Sequence, residues 1–460
     1  MHWISKLSGR KFVLLAGVLT YSVLLIFATI FYKERVAMCD AAFQFFSILK
    51  EDSFAIQIGR YGVVCTQIFP LLASKLNLPL SVVSLSYSLS FIIFYFSVFL
   101  LVLVLFKNEK MALVILLFST LMVRHSFYWV QCEFVQGAVF TLFYLALMEW
   151  ILQKEKVPFW FFLVSPFFLI TIVYFYPLLL FIMLFGILFM MLLYKQKIRF
   201  LSLILVSYLV LFVVKLQFFN NFYDSKSMEG LENIFTHFPN YFQLKSFQNF
   251  YTYLVHDYYL LVLLAILTLI FLLYAKKILH AVLMCSFLVG VWFVITINYA
   301  NGIPQFYIES QYLILVIFVG MPFSYFVMEH GILRPYTVLV VSAALILSLL
   351  RINATGAIYK QRVQYIRELS HTSQRKRIIP YEKLDNKKLL FTWGISFEVW
   401  LISTLETGST HSIIYEESNQ QFESQLQNPS VFITLMGMYP YKELNGRYFT
   451  KDSSAVYSRY

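Results

Sequence analysis

Between residues 12 and 350 the chain repeats one device: an apolar run closed by a short polar connection. The first run, FVLLAGVLTYSVLLIFATIFY at 12–32, sets the scale. A helix rising about 1.5 Å per residue needs about 20 residues to cross a hydrocarbon core about 30 Å thick. Inside hydrocarbon every backbone N–H and C=O must find a partner within the protein, so runs of this kind are helices. Further runs lie near 82–106, 111–123, 135–152, 158–173, 177–194, 200–216, 259–275, 278–298, 311–328 and 335–350. The count is about eleven. Several are short, and SPFFLITIVYFYPLLLFIMLFGIL reads as a tight pair of the kind that also occurs as half-buried hairpins. Of the 460 residues 60% are hydrophobic and 13% charged, whereas soluble domains run near 45–50% and about 25%. The chain is therefore predicted to be an all-α polytopic membrane protein. Its first run lacks a small-residue cleavage site and reads as a retained span.

Net charge is +12. The basic residues of the apolar region sit in short connections rather than on one continuous face, which argues against nucleic acid as a partner and for topology signals. Lys6, Arg10 and Lys11, then Lys107 and Lys110, Lys154 and Lys156, Lys195, Lys197 and Arg199, Lys276 and Lys277, and Arg334 all fall on one side of the alternation. That side is expected to be cytoplasmic. The other connections hold most of the acids: 33–81 with Asp40, Glu51 and Asp52; 124–134 with Glu133; 217–258 with Asp224, Glu229, Glu232 and Asp257; and 299–310 with Glu309. The outer face is thus where chemistry is expected. The long loops 33–81 and 217–258 read as carrying amphipathic helices lying along the outer interface. The expected location is the bacterial cytoplasmic (inner) membrane, multi-pass, with the C-terminus outside.

Composition turns polar at Arg351, so residues 1–350 are read as a transmembrane domain and 351–460 as an extracytoplasmic soluble domain of small α/β type. KKLLFTWGI, THSIIYEE and SVFITLMG read as short strands, and SFEVWLISTLETG as a helix ending at Gly408. LSHTSQRKRIIPYEKLDNKK reads as a loop. The cysteines Cys39, Cys65, Cys132 and Cys285 form no CxxC or Cys/His pattern, which leaves no zinc or redox framework.

Polar groups at the membrane boundary cost free energy unless water, a partner or a ligand meets them. VAMCDAAFQFF places Asp40 just past the first run, and GRYGVVCTQIF places Arg60 further along the same loop. VRHSFYWVQCEFVQGAVF brings Arg124, His125, Glu133 and Gln136 together. Blander roles exist for each: Asp40 fits a helix N-cap, Arg124 and His125 fit span-end anchors, Glu133 suits the first turn of a helix, and Glu51 with Asp52 suits a solvated turn.

The arrangement resembles the GT-C superfamily of integral-membrane glycosyltransferases. The matching positions are Asp40 in MCDAAFQFF and Glu133 in WVQCEFVQG. GRYGVVCTQIFPLLASKLNLPLSVVSLSYSL looks like the family's link into its second span, and PQFYIESQYLILVIFVGMPF, with Glu309, resembles its late outer loop. The resemblance implies transfer of a sugar from a polyprenyl-phosphate donor to an extracytoplasmic acceptor (glycan, lipid or protein), with membrane lipid and the lipid-linked sugar as partners. Asp40 would be the catalytic base, with Glu133 orienting the acceptor. Arg60, Arg124, His125, Gln136 and Glu309 would bind substrate. A divalent cation between Asp40 and Glu133 is a further option. Two other readings use the same residues: a transporter or flippase for a lipid-linked saccharide, and a non-catalytic membrane scaffold.

Overall fold

The computed structural model describes residues 9–219, 221–225, 234–371, 374–415, 420–450, 452 and 454–459. Lys6, Glu229 and Glu232 lie outside them. Each apolar run is helical: α1 Gly9–Ile30, α5 Leu80–Leu100, α6 Glu109–Phe118, α7 Glu133–Leu152, α8 Phe159–Phe175, α9 Leu179–Leu193, α10 Ile198–Phe218, α12 Tyr259–Tyr274, α13 Ile278–Asn298, α14 Gln305–Tyr312 leading into α15 Ile314–Pro322, and α16 Arg334–Ser370. Among the described residues, seven helices are long and apolar enough to cross a membrane, or eight if the pair Lys245–His256 (α11) and Tyr259–Tyr274, bent by 83°, is one broken span. Four apolar runs fall short of that length alone: α6, α8, α9 and α12. The run read over 111–123 stops at Phe118 because the Ser119 and Thr120 hydroxyls bond back to the carbonyls of Ile115 and Leu116, an alternative to continuing the helix.

The helices join two chemically distinct ends. At one end Glu109 lies among Glu329, Arg334, Lys110 and Arg10, Lys197 bonds the Lys154 and Glu155 carbonyls at 3.4 and 3.2 Å, and Lys277 and Lys195 flank His280. Asn108 caps α6 there through Met111 N, and its amide donates to buried Glu149. The opposite end gathers Asp40, Glu133, Asp224, Asp257 and Glu309 with the C-terminal segment. The alternation of basic and acidic connections in the sequence is thus reproduced as a spatial segregation.

Between α1 and α5 the chain forms α2 Tyr32–Val36, α3 Cys39–Glu51 and α4 Val64–Lys75. Helix α3 does not lie along an outer interface as expected. Ala41, Ala42, Phe45, Phe46, Ile48 and Leu49 are buried in one core with Phe397, Trp400, Phe432 and Phe449 of the C-terminal segment. Helix α4 does present apolar side chains outward, Ile68, Phe69 and Leu72 being exposed.

The composition change at Arg351 falls inside α16, which runs unbroken to Ser370, so the structural step comes after Ser370. The remainder holds β1 Lys376–Ile379, α17 Asn386–Leu389, α18 Ile395–Thr407, β2 Ser412–Tyr415, β3 Val431–Thr434, β4 Gly437–Pro440 and β5 Ser458–Arg459. Strands β2-β1-β5 form a parallel sheet, and β3 pairs antiparallel with β4. Two readings are corrected. KKLLFTWGI is not a strand, because the Asp385 side chain accepts from Lys387 N and Lys388 N and starts the turn of α17 instead. The first strand is KRII, inside the expected loop, with Lys376 and Arg377 buried and Lys376 Nζ bonded to the Pro429 carbonyl at 2.6 Å. Helix α18 ends as read, at Gly408, with φ +68°.

Candidate functional site

Asp40 is the second residue of α3, and it does not cap it. The N-cap is Met38, which makes no side-chain cap bond, and Asp40 Oδ2 instead accepts from Trp129 Nε1 at 3.0 Å. The Trp129 loop is held by Arg35, whose guanidinium is buried. Arg35 Nε and Nη2 donate to the hydroxyl and carbonyl of Ser88 at 2.9 and 3.0 Å, Nη1 donates to the Phe127 carbonyl, and the group lies 4.1 Å over the Phe127 ring. Trp129 is also stacked on Phe306 (centroids 5.6 Å, 23°) and meets Phe391 edge-on.

Glu133 opens α7, whose first turn favours an acid. Its Oε2 lies 2.9 Å from Arg60 Nη1. Arg60 Nη2 reaches Asp224 Oδ1 at 3.2 Å, and Asp224 Oδ2 meets Lys215 Nζ at 2.6 Å and Asn221 Nδ2 at 2.8 Å. A line of alternating charge, Glu133–Arg60–Asp224–Lys215, therefore ends beside Asp40. Three carboxylates face two cations in this group. Enclosure by protein is the largest influence on the Asp40 carboxyl, and the Glu133 charge adds to it. The Trp129 hydrogen bond and Arg60 oppose them, and Glu398 adds a smaller push upward. The result is a carboxyl pushed up to about 7. Arg60 loses hydration by burial, yet Glu133, Tyr176 and Asp224 hold its guanidinium above its ordinary value.

The other candidates lie elsewhere. Arg124 Nη1 pairs with Asp257 Oδ1 at 2.5 Å and its Nε donates to Thr355 at 3.2 Å. Glu309 is fully buried. Its Oε1 accepts from Arg124 N, Ser126 N and Ser126 Oγ at 2.7–2.8 Å, and Oε2 from the Tyr258 hydroxyl at 3.2 Å. It is a clamp on the 124–126 loop, and its lone pairs are spent there. His125 points into the core, its Nδ1 3.2 Å from the Tyr359 hydroxyl, and burial pulls its imidazole below the ordinary value. Gln136 is buried, accepting from Thr66 Oγ1 at 3.2 Å. Arg124, His256, Asp257 and Arg351 line a separate cavity of about 250 Å³. Glu51 and Asp52 form the exposed end of α3.

Among the described residues no group of three or more His, Cys, Asp or Glu is placed to hold a metal ion. Arg60 holds Glu133 Oε2 at 2.9 Å, so a cation shared between Asp40 and Glu133 would compete with that guanidinium for the carboxylate. Sequence reasoning missed Trp129, Asp224 and Lys215 as members of the site. Lys215 carried a signal, being the lone charge in the 200–216 run, next to its end. No family model, curated protein or solved structure matches the chain.

Proposed function

We propose that the chain is a GT-C-like membrane glycosyltransferase that crosses the membrane eleven times, with its acidic end and C-terminal segment on the extracytoplasmic side. The observation that carries this reading is Asp40, a half-buried residue whose carboxyl stands beside Glu133 from a different connection and is pushed up to about 7. A base is most effective when its proton affinity lies near the working pH. In this reading Asp40 Oδ1 takes the proton from the acceptor hydroxyl as the acceptor oxygen attacks the sugar's anomeric carbon. The bond to the polyprenyl phosphate breaks through an oxocarbenium-like state, and the lipid phosphate leaves with the bond's electron pair. Trp129 orients Asp40. Glu133 keeps Asp40's proton affinity high, and Arg60 holds the Glu133 carboxylate in place. The rings of Tyr307 and Phe391, stacked at 5.9 Å next to Trp129, offer flat apolar faces for a sugar. A lipid donor suits a site at the end of a helical body whose flanks carry exposed Leu, Ile, Val and Phe.

The test is transfer of a radiolabelled sugar from a polyprenyl-phosphate donor in purified membranes at matched protein level. Asp40→Asn preserves volume and cannot take a proton, so turnover should fall by about 10²–10⁴-fold with expression unchanged. Wild-type transfer by the Asn variant removes Asp40 from the mechanism.

A further inference from the structure

The turn before Asp40 is held from the far end of the chain. The first N–H groups of a helix have no intrahelical partner, and at Cys39 that partner is Glu398 Oε1, 2.7 Å from Cys39 N and 359 residues away in sequence. Glu398 pairs with Arg362, and both side chains are fully buried. Arg362 Nη1 donates to the Ala37 carbonyl at 2.5 Å and Nε to the Leu389 carbonyl at 2.7 Å, so one guanidinium ties the α3 turn, the α17 turn and α18 together. Cys39 is bent into positive φ (+23°) at this point. Gly394, just before α18, lies against it so closely that a Cβ there would stand 2.6 Å from Cys39 Cα.

From this contact we infer that Glu398 and Arg362 are positioning residues for Asp40: the C-terminal segment, by gripping the Cys39 amide and the Ala37 carbonyl, fixes where the Asp40 carboxyl stands. The inference rests on Asp40 being the base. A buried ion pair is an expensive way to gain stability, since desolvation offsets most of its attraction. What it supplies here is direction, because both partners bond to backbone atoms immediately before Asp40. The charged and titratable groups facing Asp40 are Glu133 from α7, Arg60 from the loop before α4 and Glu398 from α18, with Cys39 beside it and the phenols of Tyr87 and Tyr307. Among the described residues of the C-terminal segment, Glu398 is thus the acid that bears on the base.

A control sits on the same helix. Glu406 of α18 pairs with Lys33 at 2.8 Å and with Arg367 at 2.6 Å, docking the segment without bonding to the α3 turn. The experiment uses the full-length protein in membranes and compares Glu398→Gln, Gly394→Ala and Glu406→Gln. It reads the pH profile of transfer, the separate kcat and KM values, and alkylation of Cys39 by N-ethylmaleimide located by peptide mass spectrometry. Glu398→Gln keeps an acceptor for the Cys39 amide but removes a negative charge near Asp40, so the acid limb should move to lower pH by about half a unit to one unit. Gly394→Ala keeps every charge and displaces the turn. Its kcat should fall by about ten- to a hundredfold with KM nearly unchanged, and Cys39, buried in the wild type, should become labelled. Glu406→Gln should leave both limb and labelling as in the wild type. An unmoved acid limb in folded Glu398→Gln, a kcat within about twofold of wild type in Gly394→Ala, or the same changes in Glu406→Gln overturns the inference. If Glu398→Gln does not fold, Gly394→Ala decides alone. If Asp40→Asn transfers normally, the base reading fails and the positioning role falls with it, while Cys39 labelling still reports whether the grip exists.

Discussion

Replacing Arg60 with methionine keeps most of the side-chain length but removes the cation shared by Glu133 and Asp224. The Arg60 side chain is 8% exposed, Glu133 16% and Asp224 1%, so neither carboxylate can turn to bulk water to recover its hydration. Asp224 keeps Lys215 and Asn221, whereas Glu133 keeps no ion-pair partner among the described residues. Breaking a buried pair by removing one member costs about 3–5 kcal/mol. The surviving Lys215 contact puts the Arg60→Met loss near the lower bound, about 3 kcal/mol. Arg60→Lys should recover only part of it, because an ammonium is a point charge and cannot hold two carboxylates with the two arms of a planar fork. The assay is equilibrium unfolding of the purified protein in mixed micelles with rising SDS fraction, for Arg60→Met, Glu133→Gln and the double variant. The double variant should be more stable than the sum of the two losses predicts, by about 1–3 kcal/mol of coupling. A Met variant within about 1 kcal/mol of wild type, or strict additivity, would refute the view that these charges are a closed buried network.

Trp129→Phe keeps the stacking on Phe306 and removes the N–H that favours ionised Asp40, so the acid limb of transfer should move up by about one pH unit; a limb that stays put argues against that bond. Asp40 also links pH to stability: its folded-state affinity lies above the unfolded one, so its contribution is present below the ordinary carboxylate value of 3.8 and is lost as pH rises through about 7. Asp40→Asn should flatten that slope in the same unfolding assay. Glu309→Gln turns an acceptor-only clamp into an amide that cannot serve all of its donors, and the loss should be about 1–3 kcal/mol with the 124–132 loop more open to proteolysis; an unchanged protein would reopen Glu309 as a ligand for substrate. Orientation is checked with an impermeant thiol reagent on intact cells, in a background without the native cysteines: a cysteine at exposed Gln427 should label and one at exposed Lys277 should not. The reverse pattern would place the acidic end inside.

What could be read from the sequence was what depends on neighbours along the chain. Runs of apolar residues near membrane length become helices because the backbone must satisfy itself, and every such run proved helical. The split of basic and acidic connections needed only alternation, and it reappears as the two ends of the helical body. Gly408 as a helix stop is likewise local, a matter of its freedom at positive φ. Asp40 and Glu133 stood out because a carboxylate beside an apolar run is costly wherever it ends up. Their partners could not be read. Arg60 meets Asp224 across 164 residues and Cys39 meets Glu398 across 359, and no local pattern encodes which distant group will take a given hydrogen bond. For the same reason the N-cap reading of Asp40 failed: Glu398 holds the Cys39 amide and Trp129 holds the Asp40 carboxyl, leaving that side chain no capping task. Glu309 shows the converse, an acid in a connection whose neighbouring loop folds over it and uses both oxygens. The C-terminal segment, read as separate from its polar composition, shares a core with α3, because Phe45 and Phe46 are hidden from water only once Phe397, Trp400 and Phe449 cover them. Burial and charge pairing are properties of the assembled chain, and they decide which of its few charged residues remain available for chemistry.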